Sequence, residues 1–214
     1  MLPDPFTAIL LGALLGFRHA TDADHVVAVT AIVARERSLP RAARVGALWG
    51  VGHTLTLFVV GGAIVTFRLV VPPRVGLALE FSVALMLIML GFANLRSRDE
   101  TPAARTTARP FLVGLVHGLA GSAAVALLVL ATVRSTLGAL LYLLVFGLGT
   151  IGGMVAVTVL LAAPALYAGP RVARFQTGIR VAAGALSVAF GLVLAHALIV
   201  EGGLFSALPI WAPR

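Results

Sequence analysis

Long, continuously apolar runs recur along this chain and leave it few folds. They cover residues 6–33, 43–67, 76–95, 111–133, 137–167 and 178–200. A helix needs roughly 20 apolar residues to cross a bilayer, and each run supplies that length. The runs do not alternate in polarity, so they do not read as strands of a membrane β-barrel. Composition agrees: 60% of the 214 residues are hydrophobic and 11% are charged, against about 25% charged in a soluble domain. The expected fold is all-α, a polytopic membrane protein of six transmembrane helices. The first run reads as a retained span, because Met1 to Pro5 carries Asp4 and no basic side chain, unlike a signal peptide. The chain has no cysteine, which excludes disulfides and thiolate metal sites.

The net charge is +8 and every basic residue is arginine. The arginines sit between the apolar runs and form no continuous stripe, so nucleic acid is not an expected partner. They read instead as topology signals facing lipid headgroups. The first, third and fifth connections hold eleven arginines, among them Arg41, Arg44, Arg109 and Arg180, while the opposite set of loops and tails holds four. The positive-inside rule then places both termini outside the cytoplasm, in a multi-pass plasma-membrane protein. The polar stretch 96–110 reads as a cytoplasmic linker between halves 1–95 and 111–214.

The halves resemble each other. Gly16-Phe-Arg-His19-Ala matches Gly114-Leu-Val-His117-Gly, Trp49-Gly-Val-Gly52 matches Phe146-Gly-Leu-Gly149, and Leu90-Gly91-Phe92 matches Phe190-Gly191-Leu192, at offsets of 98, 97 and 100 residues. Three spans per half is an odd number, so the second half must enter the membrane in the opposite sense. That inverted repeat is an arrangement of secondary transporters, with substrate held near the midplane. Pairs of glycines four apart, Gly12 and Gly16, Gly46 and Gly50, Gly114 and Gly118, Gly149 and Gly153, predict closely packed helices.

The first run contains the segment His19-Ala-Thr-Asp22-Ala-Asp24-His25. An aspartate at the centre of a membrane helix costs roughly 2.5–3.5 kcal/mol, and is tolerated where it meets a partner or a cation. On a regular helix His19, Asp22 and His25 fall within an arc of about 120°. Two imidazoles and a carboxylate on one face form a divalent-metal set. Asp24 points elsewhere on that wheel. It either orients a histidine or becomes a ligand where the helix unwinds. The bland alternative is a polar cap at the inner membrane face, its aspartates neutralised by Arg18 and Arg35. Two histidines and two aspartates within seven residues favour the metal reading.

His53, in Gly50-Val-Gly-His53-Thr54, is the natural additional ligand. Thr54, His117 and Ser122 are pathway candidates, His117 being the repeat mate of His19 in a half that has lost the acids of the first segment. His196 reads as structural, and Glu80 as a vestibule residue or a headgroup-level acid.

The segment His19 to His25 resembles the H-x4-D-H signature of the nickel/cobalt transporter family. Gly52-His53-Thr54 is similar to that family's Gly-His-Ser/Thr element. Val116-His117-Gly-Leu-Ala-Gly-Ser122 resembles the shorter, urease-accessory (UreH-like) branch of the group. The resemblance implies high-affinity permeation of Ni²⁺ or Co²⁺ through essential signature residues, and a role in supplying nickel enzymes. The chain departs from the longer members in having six expected spans where they have eight, and in lacking their Thr-Ala-Thr-Glu element.

The expected function is therefore a permease for Ni²⁺ or Co²⁺, with His19, Asp22, Asp24, His25 and His53 as metal ligands. The ion is cargo, and no resident cofactor is expected. Partners follow from this reading: the lipid bilayer, the ion, and either a second copy of the chain or accessory proteins of nickel enzymes. Two alternatives share the cluster, a membrane accessory protein for nickel-enzyme maturation and a proton-linked carrier using the His/Asp cluster as a relay. An intramembrane metalloenzyme would need a general base, and no H-E-x-x-H motif occurs. No G-x4-G-K-[ST] phosphate loop occurs either.

Overall fold

The computed structural model describes the backbone of residues 5–33, 36, 38–96, 108–133, 135–167 and 173–211, and the side chains of these except 5–8, 121–132 and 164–176. Helix is the regular secondary structure of the described residues, which hold no β-strand. Helix α1 spans Pro5–His19 and α2 spans Ala23–Val33. Helix α3, Leu39–Thr56, runs through a wider π turn, Leu57–Gly61, into α4, Gly62–Phe67. Then follow α5, Pro73–Arg96, α6, Ala108–Thr132, α7, Thr136–Tyr167, and α8, Ala173–His196, with a π turn at Ala197–Glu201. Proline occupies the first position of α5, where its missing N–H is no loss.

Each expected apolar run is helical, the first in two pieces. Among the described residues, four stretches are long and apolar enough to cross a membrane: Leu39–Phe67, Pro73–Arg96, Thr136–Ala163 and Thr177–Glu201. The outer faces of these helices expose Leu85, Met89, Leu141, Leu148, Leu160 and Val193, as a surface solvated by lipid requires. The linker expected at 96–110 lies outside the described residues except for Arg96 and residues 108–110.

The main helix pairs are α1 with α7, α3 with α6 and α7, and α5 with α8. Glycines set how close they come. A Cβ on Gly16 would lie on the Phe146 carbonyl oxygen, and one on Gly114 on that of Trp49. A Cβ on Gly149 would meet the Ala13 carbonyl, and one on Gly52 that of Phe111. Gly91 faces the carbonyl of Gly184, and Gly191 faces that of Ala84. The α5–α8 contact is centred on Ser187, whose hydroxyl donates to the Leu87 carbonyl. These contacts come in pairs, each one matched by another about 97 to 100 residues along the chain.

The short helix α2 lies inside the bundle. His25, Val27, Ala28, Val29, Ala31 and Val33 are buried, packed with Trp49, Leu87, Val113 and Met154 from four other helices. Its far end is held by Asn94 of α5, whose amide donates to the Ala31 carbonyl, while Arg180 of α8 donates to the Asn94 carbonyl.

Candidate metal centre

The break between α1 and α2 builds the site. After His19 the chain turns at Ala20–Asp22. The Thr21 amide and hydroxyl both donate to the Arg18 carbonyl, and the Asp22 amide donates to that of His19. The Thr21 hydroxyl competes in this way with continued helix. Helix α2 then restarts, with Asp24 in its first turn, where free amides and the helix dipole favour a carboxylate. Asp24 accepts from the His25 amide at 2.9 Å.

The regular-helix wheel therefore does not apply, and the two aspartates take different places. Asp22 is 51% exposed and bonds His19 Nδ1 at 2.8 Å. Asp24 faces inward, its Oδ1 3.1 Å from His25 Nδ1 and its Oδ2 2.8 Å from His117 Nε2. One carboxylate thus joins a histidine of α2 to one of α6.

An ionised carboxylate only accepts hydrogen bonds, and a neutral imidazole carries one N–H and one lone pair. The bonds to Asp22 and Asp24 put the protons of His19 and His25 on Nδ1. Each Nε2 is left with its lone pair, and both Nε2 atoms are buried without a hydrogen-bond partner. This is the carboxylate–histidine arrangement found behind metal ligands. His53, on α3, is wholly buried, and neither of its ring nitrogens has a partner. Orphaned buried nitrogens are costly, and here they gather in one place.

Among the described residues, two groups have ligand atoms within 4.8 Å of one another: His19, His25 and His53, and Asp24, His25 and His117. His25 belongs to both. Its ring centre lies 4.6 Å from that of His19, 5.2 Å from His53 and 4.2 Å from His117. The expected ligands His19, His25 and His53 are thus brought together. Asp24 and His117 join them, and Asp22 stands behind His19.

Thr54 is buried, but its hydroxyl donates to the Gly147 carbonyl of α7 at 3.0 Å, which serves helix packing. The Ser122 side chain lies outside the described residues. His196 is exposed on α8, away from the cluster. Glu80 accepts from the Trp211 indole at 2.7 Å.

Two aromatic walls were not anticipated. The buried ring of Trp49 lies 5.5 Å from His25 and 5.8 Å from His117, and Phe146 lies 5.4 Å from His19. Trp49 stands four residues before His53, one helical turn away on the same face, which is the signal that could have found it. Trp49 and Phe146 are the pair that the expected repeat matches, and so are His117 and His19, which they flank.

No protein-family model and no solved structure matches the chain. A protein described as urease accessory protein UreH, from Bacillus sp. (strain TB-90), is 33% identical over 220 residues, an alignment that covers 94% of this chain and 96% of that protein. With near-complete coverage of both sequences at that identity, the chain belongs to the UreH family.

Proposed function

We propose that the chain is a plasma-membrane permease for a divalent transition-metal ion, Ni²⁺ or Co²⁺. One observation carries this reading: buried, unpartnered nitrogens of His19, His25 and His53 converge inside an apolar bundle, each of the first two backed by a carboxylate. Imidazole favours nickel, cobalt, zinc or copper over magnesium and calcium. With the rings neutral, Asp22 and Asp24 supply two negative charges, which a divalent ion balances. The relative's description as a urease accessory protein favours nickel within that set.

The paired glycine–carbonyl contacts and the paired aromatic walls support two three-helix repeats of opposite sense, 1–95 and 111–214, joined by 96–110. In this arrangement the ion sits where the repeats meet. The arginine distribution supports termini outside the cytoplasm. Inward movement of a divalent ion across 100 mV gains about 4.6 kcal/mol.

The test is nickel and cobalt accumulation in cells expressing wild type, His19→Ala or Asp24→Ala. Wild type should accumulate metal and both variants should lose at least about tenfold of that uptake. Equal accumulation in all three rejects the permease. A nickel-maturation accessory role, the reading closest to the relative's description, predicts unchanged accumulation with lost nickel-enzyme activity.

A further inference from the structure

The cluster holds more ligand atoms than one ion position uses. His19, His25 and His53 form one group and Asp24, His25 and His117 another. The first comes wholly from α1–α3 and offers three neutral nitrogens. The second joins α2 to α6 and includes a carboxylate. The rings of His53 and His117 are 6.2 Å apart, with His25 nearer to each of them than they are to one another. His117 is itself 2% exposed, and its Nδ1 has no partner.

The helices that carry His53 and His117 have no gap left to close between them. A Cβ on Gly114 or Gly118 would collide with the α3 backbone at Trp49 and His53, so α3 and α6 are already in contact. His25, in the first turn of the short helix α2, is the ligand that both groups share.

We infer that the site contains two ion positions, His19–His25–His53 and Asp24–His25–His117, which share His25 and are filled in turn. This rests on the permease reading. A neutral imidazole has one lone pair, so His25 can serve one position at a time. With its proton on Nδ1, facing Asp24, it offers Nε2 to the first position. With the proton moved to Nε2, it offers Nδ1 to the second. His117 makes the complementary change, its proton passing from Nε2 to Nδ1. Both rings stay neutral and no proton is released. The ion passes from a neutral nitrogen set to one holding a carboxylate, which draws a cation forward.

The test uses the purified full chain in lipid nanodiscs titrated with Co²⁺, whose d–d absorption reports its ligands, and Co²⁺ flux into liposomes. Wild type should bind one Co²⁺ per chain. His53→Ala should still bind one, at least about tenfold more weakly and with a changed spectrum, and adding His117→Ala should abolish that residual binding. His117→Ala alone should bind Co²⁺ within about threefold of wild type, since Asp24 keeps both its bonds to His25, yet lose at least about tenfold in flux. Two Co²⁺ bound at once would overturn the shared ligand. Residual binding in His53→Ala that ignores His117, or wild-type flux in His117→Ala, would overturn the second position. Wild type without flux but with the expected binding series would reject the permease and leave the two positions standing.

Discussion

Substituting Gly114 by alanine tests how the fold positions the site. The new Cβ would lie 2.1 Å from the Trp49 carbonyl oxygen and 2.9 Å from the His53 amide nitrogen. An ordinary contact begins at about 3.4 Å, so α6 must retreat from α3 by about 1.3 Å. A backbone carbonyl cannot swing aside as a side chain would. The cost should therefore sit near the upper end of the ~1–3 kcal/mol typical of overpacking, about a hundredfold in the folded population. His117, one turn along the same face of α6, moves with it. Its 2.8 Å bond to Asp24 stretches to about 4 Å, which is no longer a hydrogen bond. Metal sites tolerate distance errors of about 0.2 Å, so transport should fall by at least about tenfold. Gly152→Ala is the reference, because its Cβ would meet nothing within 4 Å. Thermal melting of purified protein and initial rates of Ni²⁺ uptake compare the two variants. The reasoning fails if Gly114→Ala melts and transports like Gly152→Ala.

Further outcomes follow from the site, its walls and the α5–α8 contact. Asp24→Asn keeps the shape but replaces one of two acceptor oxygens by an NH₂ group, and Ni²⁺ affinity by calorimetry should fall about 10–100-fold. Asp22→Asn acts at a half-exposed carboxylate and should cost under about tenfold; a loss matching that of Asp24→Asn would refute the ranking. Trp49→Ala leaves a cavity beside two imidazoles and should destabilise by about 3–5 kcal/mol, whereas Trp49→Phe should cost under about 1.5 kcal/mol, both read from melting temperatures. Ser187→Ala removes one hydroxyl bond between α5 and α8, worth about 0.6 kcal/mol within a membrane bundle, and should leave uptake unchanged.

The helices were legible because lipid imposes a simple rule: a run of twenty apolar residues has one way to satisfy its backbone. Residues 43–67, 76–95, 111–133, 137–167 and 178–200 are helical close to those limits. The glycine pairs also read correctly, since a missing Cβ has one obvious use between packed helices. The interruption at Ala20–Asp22 was weaker, because no glycine or proline marks it. It depends on Thr21, whose hydroxyl bonds the Arg18 carbonyl, and on Asp22, whose carboxylate bonds the His19 ring, choices that periodicity does not register. With the helix taken as regular, Asp24 turned away from His19 and His25. The bond from Asp24 to His117 spans 93 residues, a distance that no local pattern encodes. The internal repeat paired His117 with His19 but could not say that they lie on either side of His25.

The interruption in the first apolar run also shapes how the chain enters the membrane. Fifteen residues of α1 reach about 22 Å and eleven of α2 about 16 Å, so neither helix alone crosses a hydrocarbon core of about 30 Å. When this stretch leaves the ribosome, α6 does not yet exist to receive Asp24, and each acid weighs against insertion by roughly 2.5–3.5 kcal/mol. This stretch, made before α6, should thus settle only once His117 has been synthesised. A nascent chain halted before Ala108 should label from both sides of the membrane at a single cysteine introduced into the amino-terminal tail, a clean reporter in a cysteine-free protein, while the full chain labels from one.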